Sequence, residues 1–530
     1  MKENDRNERL FRLIGEASDR YLTDAKRPPR RHASRIIVPL VAAFLALLLL
    51  VAGAFSMHTG LLPDPTGTTG APLGTSDPAG TTGLPPAGTT GHYIPPVINP
   101  EFPFNNALLA EFASAAAVYP LMAQMPLDFN EDESFEAYNE AYRAWLEGRV
   151  AQKEAYNTLP TVPEDFFRNS LSAFLSDTNG ENRLFSPLNV YMALAILAEV
   201  TGSETRAEIL TALGEPSIES LRTTASAIWN AHYCDDGAVK SILAASLWTD
   251  RSYSYVEETV DRIAKTYYAS VFSGNMGSED YNEALRAWLN EQTGGLLSDQ
   301  IKDVAMKDED LLAIATTLYF KASWQSKFYE SQNTEDIFHA LDGDILTTFM
   351  HQTLRDTYYW GERFTAASLA LAESGDMLFI LPDAGETVED LLTDSEVLSL
   401  IFSESTYKNK ALMEIEASIP RFDLSTQIDL RNGMQALGIR RAFDPSCSDF
   451  TPSVKDVDGI FITDAKHGVR VAIDEEGCIA AAYTVITMGP ESVPPEYERV
   501  EFTVDRPFLF VIRSEVGLPL FVGVVNGLQG

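Results

Sequence analysis

The chain has 530 residues, 45% of them hydrophobic, enough for one large core plus accessory segments. Its formal net charge is −36, from 40 Lys and Arg against 76 Asp and Glu, which argues against a nucleic-acid partner, because phosphate binding needs clustered bases. Three scattered cysteines, Cys234, Cys447 and Cys478, are too few for a disulfide framework and read as buried free thiols.

The acidity is uneven. Residues 1–35 hold ten Lys and Arg against six Asp and Glu, leaving 30 against 70 in the rest. This segment carries Leu10, Phe11, Leu13, Ile14, Ala17, Tyr21 and Leu22 at helical spacing, and it ends in Lys26, Arg27, Arg30, Arg31 and Arg35. Ile36–Phe55 follows, twenty residues without a charge. At helical rise this matches a hydrocarbon core of about 30 Å. Positive charge on the N-terminal flank alone predicts a single-pass transmembrane helix with 1–35 cytoplasmic and the remainder outside the cell membrane. A signal peptide cut near Val51-Ala-Gly-Ala, giving a secreted product, is the competing reading, but the apolar run and the segment before it are long for one. Both readings export the rest of the chain.

Residues 56–100 repeat GTTG at 67–70, 80–83 and 88–91 among many prolines. Such a composition buries no core and predicts a disordered Pro/Gly/Thr-rich linker. A single anchor with such a stalk suits a bacterial cell surface. Helical spacing returns over Asn105–Val118 and Phe135–Ala155, within a stretch, 101–165, that reads as an extension packed on the main domain. Ser186-Pro187 is a helix start, and Tyr191–Val200 is an apolar helix. Thr205–Leu213 is another, closed by Gly214. Ala244–Thr249 and Phe461–Val471 read as buried strands.

The most informative stretch is Ile473–Pro495, IDEEGCIAAAYTVITMGPESVPP. Three acids are followed by fourteen uncharged residues, Gly477 to Pro490. Side chains alternate along a strand. One set is Cys478, Ala480, Ala482, Thr484, Ile486 and Met488; the other is Ile479, Ala481, Tyr483, Val485, Thr487 and Gly489. Neither set strands a charge if buried, yet the alanines, flanking glycines and Pro494-Pro495 also suit an exposed loop. The segment is tolerable in both environments.

EEGCIAAAYT, 475–484, resembles the hinge of the reactive-centre loop of the serpins, the serine-protease-inhibitor superfamily. FTVDRPFLFVIRSEVGLPLFVGVVN, 502–526, resembles the C-terminal signature of that family. LFSPLNV at 184–190, NEQTGGLL at 290–297, TLYFKASWQSKF at 317–328 and IPRFDL at 419–424 are similar to further family motifs. The resemblance begins near Val162 and implies an α+β serpin fold, about eight to nine helices around three β-sheets with an exposed reactive-centre loop, over residues 101–530. It implies a hinge of Glu475, Glu476, Gly477, Cys478, Ala480, Ala481 and Ala482, with Cys478 where the family usually has Thr. It also implies that Trp324 and His467 lie at the top of the large sheet, where the loop first inserts. Thr316 stands where the family usually has Asn, which bears on the hydrogen bonds around that strand.

Counting sixteen residues from Glu475, and backward from Pro494-Pro495, places the reactive bond at Glu491–Ser492. An acidic bait residue suits a protease with a basic specificity pocket; cleavage after Val485, Ile486 or Met488 by an elastase-like enzyme is the alternative. The function implied is a suicide-substrate inhibitor of serine proteases, with cysteine proteases as a further target class, acting as a monomer. A non-inhibitory binding or adhesion protein on the same fold is the other reading. No HExxH, CxxC, GxSxG or P-loop pattern occurs, so an enzyme is not expected, and neither a cofactor nor a metal is implied.

Overall fold

The computed structural model describes residues 107–117, 119–120, 122–126, 135–176, 178–298, 300–478 and 497–528. The segment 1–35, the apolar run 36–55 and the linker 56–100 lie outside them. Among the described residues no helix is long and apolar enough to cross a membrane.

The chain enters through α1 (Ala107–Phe112), β1 (Ala113–Ala115) and α2 (Phe135–Asn157). Next come α3 (Glu164–Leu175), β2 (Arg183–Phe185), α4 (Pro187–Val200), α5 (Ser203–Leu213), α6 (Ile218–His232), β3 (Cys234–Asp235), β4 (Lys240–Asp250), α7 (Glu257–Thr266), β5 (Ala269–Gly274), α8 (Glu279–Gln292) and β6 (Leu312–Ser323). The second half holds β7 (Thr334–Ala340), β8 (Gly343–Trp360), β9 (Phe364–Ala370), β10 (Asp376–Pro382), α9 (Val388–Leu391), α10 (Ser395–Phe402), β11 (Lys410–Pro420), β12 (Phe422–Asp429) and α11 (Arg431–Ala436). It closes with β13 (Lys466–Ile473), β14 (Gly477–Cys478), β15 (Arg499–Thr503), β16 (Phe508–Arg513) and β17 (Pro519–Val525).

These strands make two hydrogen-bonded sheets rather than three. The first runs β1-β5-β4-β6-β14-β13-β12, with β3 on β4. The second runs β15-β11-β8-β9-β10-β16-β17-β2, with β7 on β8. Two of the three expected sheets are joined because β8 is one strand of 18 residues. Its first part pairs with β7, its middle and C-terminal parts with β11, and its last three residues also with β9.

The core lies between the two sheets and the helices packed on them. FLFVIR and PLFVGVV, β16 and β17, are buried at every position, as expected of central strands covered on both faces. Helix α4 is buried almost all round. It starts where Ser186 accepts a hydrogen bond from the Asn189 amide at 3.3 Å, with Pro187 in the first turn. Helix α5 stops at Gly214, whose φ of +72° is the left-handed cap that glycine adopts without penalty. Glu199 is 1% exposed yet charged. Burial pushes its carboxyl up, but hydrogen bonds from Arg222 and Arg262, with the Tyr267 hydroxyl, hold it below the usual range. That cluster ties α4 to α6 and α7.

The N-terminal extension departs from the expected helix at 105–118: after Phe112 the chain becomes β1. Its residues pair with the edge strand β5, Ala113 opposite Phe272 and Ala115 opposite Val271. Open backbone groups on an edge outweigh the helix preference of three small residues. Leu109 and Phe112 fill a second core with Trp248, Tyr281 and Trp288 beneath α8. Helix α2 is stapled to the body by Trp145, whose indole N–H donates to Asp236 at 2.7 Å, and by Arg149, which bonds Asp236 and Glu515. Of the three free cysteines only Cys478 is fully buried; Cys234 and Cys447 are half-buried.

His232 ends α6 inside the core. Its Nδ1–H donates to the Ile228 carbonyl, and its Nε2 accepts from the Ser514 hydroxyl at 3.0 Å. Burial holds its pKa down at about 4, while an imidazole in the unfolded chain titrates near ~6.5. The unfolded chain therefore takes a proton that the folded state refuses. This contribution to stability is whole above roughly pH 6.5 and falls by about 3 kcal/mol as pH drops toward 4. In His232→Gln, the urea midpoint followed between pH 7 and 4.5 should lose one proton's worth of slope, about 1.4 kcal/mol per pH unit; an unchanged slope would show that this ring is not the group responsible.

Candidate functional site: a slot between two strands of the first sheet

The site is built on the tight turn that joins β13 to β14. Asp474 folds it: its Oδ1 accepts from the amides of Glu476 at 2.9 Å and Gly477 at 3.2 Å, and its own amide donates to the Gly477 carbonyl at 3.1 Å. This is the local side-chain-to-backbone pattern that Asp offers a turn. The turn returns the chain antiparallel to β13, so that Cys478 pairs with Ile473.

The other wall is β6, whose end carries Trp324. This residue is 2% exposed and touches the turn twice. Its indole N–H donates to the Asp474 carbonyl at 2.8 Å, and its amide donates to the Glu476 carbonyl at 3.0 Å. The Phe328 amide takes the Glu475 carbonyl at 3.1 Å, and the Phe328 ring meets Trp324 edge-on. Both hinge acids are partnered. The buried Glu475 accepts from Asn333 Nδ2 at 2.6 Å and lies 3.7 Å from Arg421, while Glu476 pairs with Lys327 at 2.5 Å.

Gly477 and Cys478 then pair on β6 with Ser323 and Ala322. A Cβ on Gly477 would stand 2.3 Å from the Ala322 carbonyl oxygen, so only glycine passes this point. The Cys478 side chain turns into the main core, 2% exposed, and burial pushes its thiol up to about 12. A site that holds back the thiolate this strongly is hostile to any charge.

Beyond Cys478 no described strand lies between β6 and β13, and those two parallel strands are not paired with each other. They bound a slot with Thr317–Tyr319 on one wall and Gly468–Arg470 on the other. Its floor is polar. The Ser186 amide donates to His467 Nε2 at 3.0 Å, the Ser186 hydroxyl to the Leu520 carbonyl at 2.7 Å, and Asn189 Nδ2 reaches the Thr316 carbonyl at 3.4 Å. His467 accepts a backbone N–H, so its ring is neutral with the proton on Nδ1, and burial lowers its pKa to about 4. Where the resemblance leads one to expect Asn in the strand, Thr316 offers its carbonyl, and the amide side chain comes from α4 instead.

The structure thus brings Glu475, Glu476, Gly477, Cys478 and Trp324 together at the mouth of the slot. It does not bring His467 there, which corrects the expectation. Ile473 pairs with Cys478, and His467 lies six residues earlier on β13, about 20 Å down the strand. Its place is the floor, against Ser186 and the edge of Phe185. Ala480, Ala481, Ala482, Glu491 and Ser492 lie outside the described residues. Lys327, Asn333 and Arg421, which hold the hinge acids, were not singled out from sequence. They sit in two segments, Lys327 and Asn333 between β6 and β7 and Arg421 between β11 and β12, and nothing in their spacing signals a role at the hinge.

Comparison with known proteins agrees with this geometry. Residues 163–527 match the family model described as serpin (serine protease inhibitor). An uncharacterized serpin-like protein of Thermococcus kodakarensis is 28% identical over 396 residues, 70% of this chain and 89% of that protein. Plasminogen activator inhibitor 1 of Bos taurus is 26% identical over 403 residues, 71% of this chain and 94% of its own. Among solved structures, native tengpin, a thermophilic serpin, superposes with a TM-score of 0.61 at 24% identity, covering 77% of this chain and 98% of tengpin, a likeness of fold. With the family model spanning 163–527, the chain belongs to the serpins.

Proposed function

We propose that the chain is a cell-surface, suicide-substrate inhibitor of serine-type endopeptidases, held by the 36–55 run with its N-terminus cytoplasmic and its serpin domain outside. A target protease attacks the loop, an acid-specific one at Glu491–Ser492 or an elastase-like one after Val485, Ile486 or Met488. The freed N-terminal arm of the loop then fills the slot while the protease is still attached as its acyl intermediate.

One observation carries this reading: the first two residues of an incoming strand are already paired with β6 at the slot mouth, and the second of them, Cys478, is paired with β13 as well. Their register extends without a break. Cys478 opposite Ala322 sets each further loop residue against the preceding residue of β6, so Met488 would meet Leu312, where that 12-residue strand begins. The inward-facing set would be Cys478, Ala480, Ala482, Thr484, Ile486 and Met488. Thr484, the one hydroxyl among them, would arrive between Thr316 and His467, beside the polar floor. No charge would be buried on either face.

The stored energy is adequate. A strand the length of β6 is about 40 Å long. At ~0.5–1.5 kcal/mol net for each new hydrogen bond, the gain is on the order of 10 kcal/mol. Burial of Ile486 and Met488 adds ~1.5–3 kcal/mol each. This matches the whole stability of many domains, and it implies an uncut state held kinetically. The small, uncharged run that follows the two hinge acids weighs against the non-inhibitory binding or adhesion reading.

Incubating the full chain with elastase-like and acid-specific proteases should yield a covalent complex that survives boiling in detergent, and the C-terminal fragment should begin at Ser492 by mass. Cleavage without a complex supports the non-inhibitory reading; a fragment beginning at Ile486, Thr487 or Gly489 moves the bait bond upstream. Cys478→Arg should turn inhibitor into substrate, lowering complex yield at least about tenfold because an arginine has to be buried, whereas Cys478→Ser should retain inhibition. Persisting inhibition in the arginine variant would sink the insertion account. The cut molecule should also melt roughly 10–20 °C above the intact one by scanning calorimetry; equal melting temperatures would mean there is no stored energy to release.

A further inference from the structure

Among the described residues the two sheets have four end strands, and three of them carry charge. Strand β12 holds Asp423 and Asp429, β15 holds Arg499 and Glu501, and β2 holds Arg183. Charge on an end strand keeps another chain from adding to it. The fourth end is β1, three residues laid over β5. Strand β5 itself, ASVFSG, has neither charge nor proline, and it sits within thirteen uncharged residues, 266–278. Its register with β4 is unbroken, from Ala269 opposite Ala245 to Gly274 opposite Asp250, so no bulge twists the edge away. Six uncharged residues of this kind on a bare edge are a template for strand addition.

The strap over that edge, residues 107–126, lies outside the family match at 163–527. Ala113, Ser114 and Ala115 are small, and none of them is fully buried, so β1 itself has little side-chain grip on the body. The grip is supplied on either side. Before β1, Leu109 and Phe112 enter the second core; the Phe112 ring lies 4.9 Å from that of Tyr281 and 5.7 Å under the Arg251 guanidinium. After β1, the Ala117 amide donates to Ser270 Oγ of β5 at 3.1 Å, and the Tyr119 ring stacks on Trp229 and Tyr233 of the α6 end at 5.7 and 5.3 Å. Further on, Gln124 Nε2 donates to the Asp235 carbonyl at 2.9 Å and the Met125 amide to the Asp236 carbonyl at 2.7 Å. Side-chain latches thus hold a short, weakly gripping strand against the one end strand that has no charge of its own.

We propose that residues 107–126 are an edge guard: β1 fills the strand-accepting edge of β5, and with the strap lifted that edge pairs with the β5 of a second copy of this chain. This is independent of where the reactive-centre loop goes.

The test uses the full chain in detergent micelles, with association followed by sedimentation velocity. Two variants lift the strap in different ways: Phe112→Ser with Tyr119→Ser removes the latches, and Ala113→Pro with Ala115→Pro spoils β1 while leaving the latches in place. Each should associate at least about tenfold more tightly than wild type. A fluorescent peptide of residues 107–126 with a lysine tag should bind both variants at least about tenfold more tightly than wild type, whose edge is already filled, and should return them to monomers. The same peptide carrying Ala113→Pro and Ala115→Pro should do neither. Folded variants that stay monomeric and take up no peptide overturn the proposal, as does association that persists with peptide bound, which would place the contact elsewhere than β5. Wild type that associates as tightly as the variants also overturns it. If neither pair folds, Ser270→Ala, which removes only the hydroxyl that takes the Ala117 amide, decides by the same uptake: more peptide bound than wild type supports the guard, and equal binding refutes it.

Discussion

The structure depends on the demand for backbone hydrogen bonds along β6 and β13. Strands β6 and β13 face each other across a slot, and below Cys478 no described strand joins them. Among the described residues the two facing edges are not paired with each other, and an open strand edge is a template for an antiparallel partner. Everything around the slot bears on that demand. The Asp474 turn delivers the partner's first two residues, Trp324 and Lys327 fasten the turn, and Ser186, Asn189 and His467 make a polar floor.

The hinge acids show how such a state is restrained. Glu475 is buried with an amide and a more distant guanidinium for company, and Glu476 is paired with Lys327 near the surface. Surface ion pairs contribute little to stability, but here they fix the direction in which the chain leaves the turn. Gly477 then admits the backbone where any side chain would collide with the Ala322 carbonyl. The turn is thus fixed by local geometry, while the slot beyond it is governed by long-range pairing.

Sequence alone made the mouth of the slot legible because its determinants are contiguous: three acids, a glycine and a charge-free alternating run. Trp324 was legible through the motif around it. The floor was not. His467 sits in a strand whose alternation says only that it points inward; which end of the slot it serves is set by the β13–β14 register, and that is a pairing between segments. Lys327, Asn333 and Arg421 were invisible for the same reason, each being a common surface residue whose partner is remote in the chain. The merging of two expected sheets turned on the unbroken length of β8, and the switch from α1 to β1 turned on an open edge at β5.

The position of β16 and β17 has a consequence for how the molecule is made. These fully buried strands come last among the described elements, and β17 reaches back to pair with β2, Val524 opposite Arg183. A ribosome emitting this polypeptide releases β16 and β17 after the other described strands of the second sheet. Until then β10 lacks its neighbour on one side and β2 lacks its partner. Contacts of such sequence separation close slowly, so completion of the second sheet is a late step of folding.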